Sequence, residues 1–462
     1  MLRFQTTLLG AFALSVLAVA CGSRSPLLDG ASSAGGAASV ASSTSASSTS
    51  VSSVSSSGSG GSPFACPALS LSGPPITYGA TEAEHGSRPV LVPVSDDGAA
   101  VSVIHARTAV DGTTGNPPRI ANVTFSPWGE WPSTLGTEHQ VAWLGGEGFA
   151  VAPARPAAQP GISTLFFVPT DAFPSDMFFA PSAAPDQSYD PLPKGISWNA
   201  WEPAWAVALA RGSAFHLAAH QMGFASAVSM SLTLVDEALG ITPLTEVACA
   251  VAPFPAAVTE AKGGFLVATA SGRPFNTCQL DDGIPGPADQ LQIMRLDAQG
   301  PGLSLSSVFD ETDPLAHVAL AKAQEGAWVV WQNDGSSGFQ PSPVVAARLD
   351  EQGFQVGAVF TAVGDGLSSG PIAAAAMGPF LAVAWVDATD PSTPTLRLDL
   401  FDDAGQRVAG TSINTGPSWL YDPSLSLLPS PEGTSILLAW SDRDTPAPAT
   451  ARVARFSCDA PL

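Results

Sequence analysis

Apolar and polar positions alternate with a period of two along most of this chain, and no segment of any length shows a helical period. The segments 396–402 and 451–457 show the alternation clearly. The turn Asp-x-x-Gly follows several such segments, as at Asp350 to Gly353 and Asp402 to Gly405. This pattern predicts antiparallel strands joined by tight turns, with glycine at the position that needs a positive φ.

A unit of about fifty residues repeats in the C-terminal half of the chain. One copy contains the apolar run Gly326 to Trp331, then a polar loop, a strand-like segment and the turn at Asp350. The next copy contains the run Pro379 to Trp385 and ends at the turn at Asp402. A repeat of this length with strand-like content predicts an all-β fold of the β-propeller type.

The first hairpin of each unit sets the expected number of blades. Seven such hairpins are predicted, so we expect a ring of seven four-stranded blades. A Pro-rich insertion at 181–194 interrupts the second unit. A ring of six or eight blades, or two stacked sandwiches, is the alternative. The predicted hairpins span residues 88–103, 138–152, 203–219, 256–270, 315–332, 371–386 and 423–441.

Residues 1–20 have the pattern of an export signal, with Arg3 as the only charge and an apolar run at 8–20 that is too short to span a bilayer comfortably. The junction LAVACG at 17–22 resembles a bacterial lipobox, although Ala18 stands where Leu is usual. The resemblance implies that Cys21 carries a lipid and that Gly22 suits transport to the outer membrane. An ordinary secretory signal with an incidental cysteine is the alternative.

Residues 21–63 are predicted to form a disordered tether. The stretch 31–62 is almost wholly Ser, Ala, Gly, Thr and Val, without aromatic or charged residues, so it cannot bury a core. A flexible coil of this length spans roughly 30 Å. The remaining residues, 64–462, are long enough for one large all-β domain, the expected propeller. We therefore expect an exported, lipid-anchored protein that faces the periplasm or the cell surface.

Four cysteines remain once Cys21 takes the lipid. An even number in an oxidising compartment implies two disulfides, with three pairings open. The expected fold favours Cys249–Cys278, because these residues flank the first hairpin of the fourth blade, whose two ends are neighbours. Free thiols are the alternative.

The last unit lacks a fourth strand. Its third strand ends at Cys458, whereas Cys66 precedes a strand-like segment at 67–72 that has no blade of its own. We therefore expect the N-terminal strand to join the last blade and close the ring, with a Cys66–Cys458 disulfide at the junction.

Charged residues are scarce and mostly acidic. They make up 13% of the chain, the net charge is −22, and the only lysines are Lys194, Lys262 and Lys322. Nucleic-acid binding needs a basic face, so this composition excludes it. An acidic domain also repels anionic lipids, which leaves the N-terminal lipid as the expected membrane contact. The composition suits a protein with cationic or basic partners.

No motif identifies a catalytic centre or a metal site. The G-x-S-x-G sequence at 366–370 precedes a strand rather than a helix, so we interpret it as a loop between blades. His216 and His220 are expected on one face of a strand, but a metal would need a further ligand. Acidic clusters at 96–97, 281–282, 310–313 and 402–403 leave calcium open as a cofactor, although none has the spaced D-x-D-x-D-G loop. No cofactor is predicted.

The tryptophans fall into two groups. Trp331, Trp385 and Trp440 recur at the ends of second strands, and we interpret them as core packing between blades, with a ligand-binding aromatic surface as the alternative. Five others lie in Pro-rich insertions, which makes them the candidate binding residues. These are Trp128, Trp131, Trp198, Trp201 and Trp205.

The lipobox and roughly 400 residues of repeat pattern give the chain a loose resemblance to lipid-anchored bacterial seven-bladed propellers. No catalytic residue carries over from this resemblance. The leading hypothesis is a non-enzymatic envelope protein that binds or scaffolds a protein or glycan ligand through a propeller face. The alternatives are an enzyme that acts on polysaccharide or peptide in the central funnel, and a glycan-binding module that uses the loop tryptophans.

Overall fold

The computed structural model describes residues 66–458, except for 79–83, 95–96, 110–118, 132–137, 144–149, 155–162, 169–174, 182–193, 197–203, 214, 225–226, 239, 252–253, 276, 279–283, 298–301, 334–341, 369, 388, 391–393, 415–423 and 443–449. The expected signal peptide, Cys21 and the expected tether lie outside the described residues. Within the described part, the backbone forms strands and turns, and no helix there is long and apolar enough to cross a membrane.

The N-terminal half of the described chain contains two short strands and three four-stranded antiparallel sheets. The short strands are β1 (Leu69–Leu71) and β2 (Ile76–Tyr78). The sheets pair their strands in chain order and consist of β3 (Glu84–Pro93), β4 (Val101–Ala109), β5 (Arg119–Phe125) and β6 (His139–Trp143); β7 (Ala150–Ala154), β8 (Ser163–Val168), β9 (Ser175–Pro181) and β10 (Lys194–Ile196); and β11 (Ala204–Arg211), β12 (Phe215–Phe224), β13 (Ala227–Asp236) and β14 (Ile241–Ala250).

The C-terminal half contains one further four-stranded sheet, one sheet of eight strands and the last three strands of the chain. The four-stranded sheet is β15 (Ala256–Ala261), β16 (Gly264–Ser271), β17 (Gln290–Asp297) and β18 (Leu303–Asp310). The other strands are β19 (Leu315–Lys322), β20 (Ala327–Asn333), β21 (Ser342–Leu349), β22 (Gln355–Ser368), β23 (Ala373–Met377), β24 (Phe380–Asp387), β25 (Thr395–Phe401), β26 (Arg407–Asn414), β27 (Leu425–Pro429), β28 (Ser435–Asp442) and β29 (Thr450–Cys458).

The inner strands form a ring. β3 contacts β7, β7 contacts β11, and the contacts continue through β15, β19, β23 and β27 back to β3. Later strands of each sheet lie farther from this ring, which is the arrangement of a β-propeller. The second strands are the most deeply enclosed, because a neighbouring sheet packs on each of their faces. Every residue of β16 is buried, and Phe265, Val267, Ala268 and Ala270 belong to a core cluster shared by adjacent sheets.

The backbone hydrogen bonds correct the expectation of seven separate blades. The described strands form six sheets, because β19–β26 make one sheet of eight strands. Its two four-stranded halves are joined by a single residue pair, Ser368 on β22 with Asp387 on β24. This pair forms because β22 extends through Ser368, into a segment that the sequence analysis interpreted as a loop. The sequence did not predict this extension of the strand, because residues 364–370 are rich in glycine.

The structure confirms six of the seven predicted first hairpins, and the second one is wrong. Residues 138–152 span β6, which is the fourth strand of the first sheet, and the start of β7, which is the first strand of the next sheet. A fourth strand followed by a first strand has the same period-two pattern as a hairpin. The pattern therefore identified the strands but not the sheets to which they belong.

The ring is closed by the N-terminal strands, as predicted. β1 and β2 both pair antiparallel with β29, with Leu69 opposite Cys458 and Ile76 opposite Val453. They form one interrupted outer strand on the closing sheet, which also contains β27 and β28. The predicted Cys66–Cys458 disulfide joins its outer end to β29, with Cα atoms 5.0 Å apart.

The predicted Cys249–Cys278 disulfide is also present, with Cα atoms 5.8 Å apart, but it joins two sheets rather than the mouth of one hairpin. Cys249 lies on β14, the outer strand of the preceding sheet, and Cys278 follows β16. The backbone N–H of Gly272 donates to the Cys249 carbonyl at 2.8 Å beside the bridge. The disulfide therefore holds the outer edge of one sheet against the loop of the next.

Candidate functional site

Five large apolar side chains are exposed on the outer surface where the fourth sheet meets the eight-stranded sheet. Leu305 and Val308 lie on β18, Phe354 immediately precedes β22, and Val356 and Val359 lie near its start. Phe354 is 53% exposed and Val356 is 50% exposed. We call these five residues the apolar rim.

Three hydrogen bonds join β18 to the turn before β22 and to the first residue of β22. Ser306 Oγ donates to the Gln352 carbonyl at 2.5 Å, and Ser307 Oγ donates to the Gly353 carbonyl at 3.0 Å. Ser307 Oγ also accepts the backbone N–H of Gln355 at 3.2 Å. These bonds cross from one sheet to the next, so the apolar side chains on both strands are held in one surface.

The turn beside the rim is defined by Gly353 and by hydrogen bonds to Asp350. Asp350 Oδ1 accepts the backbone N–H groups of Gln352 at 2.8 Å and Phe354 at 2.9 Å. Gly353 has a φ of +84°, which confirms the glycine position predicted for this turn. A Cβ atom on Gly353 would lie 2.9 Å from Leu266 Cδ2, so the turn approaches the neighbouring sheet too closely for a side chain. This fixed geometry places Phe354 at the surface.

A β-bulge in β22 lies at the end of the apolar rim that contains Val359. Arg348 pairs with Val356 and Ala346 pairs with Phe360, so the three residues 357–359 of β22 oppose a single residue of β21. Gly357 supplies a φ of +77° for the bulge, and Val359 is exposed. Bulges disrupt the pairing of a strand and turn its residues outward. The bulge therefore accounts for the exposure of an apolar stretch within a strand.

A group of carboxylates lies at one end of the rim, and we call Asp289, Asp310, Glu311 and Asp313 the acidic end. Asp310 is the last residue of β18, and its Oδ1 accepts Gln290 Nε2–H at 2.9 Å. The backbone N–H of Glu311 donates to the Asp289 carbonyl at 2.9 Å. Among the described residues, none of the four forms an ion pair. Their negative charges are therefore not neutralised by nearby basic side chains.

The opposite end of the rim is fixed by Glu351. Its carboxylate accepts the backbone N–H groups of Lys262 at 3.0 Å and Gly326 at 3.1 Å, and these bonds lower the pKa of the carboxyl. The guanidinium of Arg295 donates to the carbonyls of Lys262 and Glu351. Charges of both signs meet here, so this end is less acidic than the end at Asp310.

Two predicted binding residues, Trp128 and Trp131, lie at the seam between the first sheet and the closing sheet. Trp128 Nε1–H donates to the Gly98 carbonyl at 2.8 Å, and Trp131 Nε1–H donates to the Pro74 carbonyl at 3.1 Å. Arg455 lies over the Trp131 ring, 5.5 Å from its centre. Both indoles pack against the core cluster at this seam. They therefore contribute to ring closure, and their binding role stays a prediction.

The other candidate tryptophans do not meet these two in the described structure. Trp198 and Trp201 lie outside the described residues, and Trp205 lies on β11. The structure thus does not bring the five candidates together into one described surface.

The recurrent tryptophans pack inside the fold, as interpreted from the sequence. Trp331, Trp385 and Trp440 are all buried. Trp331 Nε1–H donates to Glu311 Oε1 at 2.6 Å, and Trp385 Nε1–H donates to Asp399 Oδ2 at 2.7 Å. Carboxylates therefore accept the indole N–H of two of the three tryptophans. These hydrogen bonds indicate a structural role for the two rings.

The histidines at 216 and 220 are both buried on β12. Four residues along a strand separate them by roughly 13 Å, which is too far for one metal ion. Burial lowers the pKa of His220 to about 3, so its imidazole is neutral near pH 7. Among the described residues, no group of three or more His, Cys, Asp or Glu side chains has the geometry to hold a metal.

The acidic clusters considered for calcium have local hydrogen-bond partners where they are described. Asp97 Oδ1 accepts the backbone N–H of Ala99, and Asp402 Oδ1 accepts those of Ala404 and Gln406. These are the bonds of Asx turns. Asp96 and the cluster at 281–282 lie outside the described residues.

A charged cluster that the sequence analysis missed lies beside the closing seam. His105 Nε2 is 3.3 Å from Glu138 Oε2, and Arg107 Nη2 is 2.5 Å from Glu138 Oε1. The ring of Tyr78, on β2, is 6.5 Å from the ring of His105. No sequence pattern connects these residues, because Glu138 precedes β6 and reaches back across the sheet to β4. The cluster places the Glu138 carboxylate against the Arg107 guanidinium and the His105 imidazole, near the contact between the first sheet and the closing sheet.

Stability below about pH 4.5 should depend on Glu138. Burial alone would raise the pKa of this carboxyl, but the close contacts with His105 and Arg107 together outweigh that effect and lower it from 4.5 to about 2. The charged form therefore stabilises the fold above the unfolded-state pKa, and the contribution is lost as pH falls from about 4.5 to 2. Between pH 6 and pH 3, urea denaturation should show that the wild type loses about 1–2 kcal/mol more than Glu138→Gln. Equal losses in the two proteins would contradict this role.

No protein-family model matches the sequence, and no curated protein matches it. Among solved structures, a protein of unknown function from Dyadobacter fermentans is 14% identical with a TM-score of 0.49, covering 85% of this chain and 100% of that chain. The fucose-recognising six-bladed propeller lectin of Aleuria aurantia is 11% identical with a TM-score of 0.44, covering 74% and 99%. The hemagglutinin-neuraminidase of parainfluenza virus 5 is 7% identical with a TM-score of 0.44, covering 86% and 97%.

Proposed function

We propose that this protein is a binding protein of the bacterial cell envelope, anchored by a lipid on Cys21 and presenting the apolar rim of its propeller to a protein partner. The observation that carries the proposal is the clustering of exposed apolar side chains. Of the eight large hydrophobic residues that are exposed in the described part of the chain, five form the apolar rim. Contiguous exposed apolar surface on a soluble domain marks an interaction site, whereas single exposed residues do not.

The chemistry of the rim favours a polypeptide as its ligand. Four of its side chains are aliphatic, and the fifth is the phenyl ring of Phe354. These groups gain free energy by leaving water but offer no hydrogen bond to a sugar hydroxyl. Apolar side chains of a partner protein can cover such a surface.

We further propose that the eight-stranded sheet corresponds to two four-stranded blades. The ring then contains seven blades. The support is that β19 and β23 each contact the first strands on either side, while one residue pair joins the two halves of the sheet. Pairs of cysteines can be introduced on the first strands of neighbouring blades. The number of pairs that form a disulfide crosslink around the ring would then give the number of blades.

The proposal is tested by affinity purification with the tagged full-length chain. We expect one envelope protein to co-purify with the wild type and to fall about tenfold with a Phe354→Ser, Val356→Ser double variant. Ile284→Ser is the matched control, because Ile284 is 69% exposed and lies outside the rim. Equal recovery with the double variant and the wild type would overturn the rim as the binding surface.

A further inference from the structure

The apolar rim and the acidic end are parts of one surface. Val308 and Asp310 both point outward from β18, two residues apart, which places them roughly 7 Å from each other. The segments that form this surface, 302–313 and 350–368, contain no lysine or arginine. A partner that covers the rim therefore meets apolar side chains and, directly beside them, uncompensated carboxylates.

This arrangement disfavours two kinds of partner. A second copy of the chain would bring two acidic ends together at a net charge of −22 for each copy, and like charges at an interface oppose association. An anionic lipid surface is repelled for the same reason. A partner with basic residues beside an apolar run gains binding free energy from both the apolar rim and the acidic end.

We infer that the apolar rim and the acidic end together bind a polypeptide segment that carries an apolar run followed by lysine or arginine. This inference rests on the proposed function, because it names the partner class of the same surface. The apolar run covers Leu305, Val308 and Phe354. The basic side chains then lie against Asp310 and Asp313, which are both near the surface and free of ion pairs within the described chain.

The two parts of the surface contribute in different ways. Covering exposed apolar area supplies affinity that depends little on salt. The carboxylates supply orientation and selectivity, and their contribution weakens as salt screens it. We expect a preference of about tenfold for a basic segment, which corresponds to about 1.4 kcal/mol and is the size that two partly exposed charge contacts supply.

The inference is tested with three labelled synthetic peptides that share the run Val-Ile-Val-Thr-Val and end in Lys-Lys, Gln-Gln or Glu-Glu. Binding to the full-length protein is followed by fluorescence anisotropy at 50 and 300 mM salt. We expect the lysine peptide to bind about tenfold more tightly than the glutamine peptide at 50 mM salt, with a smaller difference at 300 mM. The glutamate peptide should bind most weakly.

Two variants separate this inference from the proposed function. Asp310→Asn with Asp313→Asn should remove the preference for lysine while leaving the glutamine peptide unchanged. Phe354→Ser should weaken the lysine and glutamine peptides alike, and Ile284→Ser should weaken neither. If the lysine and glutamine peptides bind the wild type equally and Phe354→Ser weakens both, the apolar rim is a binding surface, but the inferred preference for a basic segment is wrong. If no peptide binds, the inference fails, and affinity purification still decides the proposed function.

Discussion

Removing the Cys66–Cys458 disulfide is expected to lower the free energy of unfolding by about 5–6 kcal/mol. The two cysteines are 392 residues apart in sequence, so the bridge restricts almost the whole unfolded domain. It also holds β1, a strand of three residues that pairs only with β29 in the described structure. Denaturation of a Cys66→Ser, Cys458→Ser double variant by guanidinium measures the loss.

The second disulfide provides a matched control for this prediction. Cys249 and Cys278 are 29 residues apart, for which the same chain-entropy argument gives about 3–4 kcal/mol. The variant without Cys66–Cys458 should therefore be the less stable of the two. The reverse order would show that the closing disulfide is not the principal restraint on the ring.

Replacing Asp399 with alanine is expected to destabilise the fold by about 3 kcal/mol. This carboxylate is buried, and its Oδ2 accepts Trp385 Nε1–H at 2.7 Å. Its Oδ1 accepts Arg407 Nε–H at 2.7 Å and lies 2.6 Å from Arg407 Nη2. The substitution leaves a buried indole N–H without an acceptor and leaves the guanidinium without its counter-charge. Thermal or urea denaturation checks the size of the effect.

Two further variants test whether the network causes this loss. Asp403→Ala removes an exposed carboxylate from the nearby turn and should change stability by less than about 0.5 kcal/mol. Gly410→Ala would place a Cβ atom 2.0 Å from Asp399 Oδ1, so it should disrupt the same ion pair and destabilise the fold. If Asp399→Ala is no worse than Asp403→Ala, the buried network does not stabilise the propeller.

The sequence predicts most of the local structure, because period-two alternation and turn residues act over short distances. The hairpins of the C-terminal half and the turn at Asp350 are found where the pattern places them. Cys66 and Cys458 identified the ring closure because a disulfide is a long-range restraint that is visible in sequence. The pattern does not show to which sheet a strand belongs, which explains the wrong hairpin at 138–152 and the continuous pairing at Ser368.

The candidate site was harder to predict, because exposure depends on contacts between distant residues. Val356 and Phe354 have the composition of any half-buried strand, and their exposure depends on the turn at Asp350, the bulge that follows Val356 and the bonds from Ser306 and Ser307. Ser307 and Gly353 are 46 residues apart in sequence. Trp131 is the reverse case. The sequence predicts an exposed binding residue in a loop, whereas the ring packs against the contact between the first sheet and the closing sheet. Local pattern could not distinguish a ring that packs from one that binds.

The most direct test of the rim as the binding surface is site-specific photocrosslinking in intact cells. A photoreactive phenylalanine analogue is placed at position 354 in one strain and at position 284, outside the rim, in a second strain. We expect illumination to give one discrete protein adduct with the analogue at 354 and none with the analogue at 284. The absence of an adduct at 354, or the same adduct from both positions, would contradict the assignment of the apolar rim as the partner-binding surface.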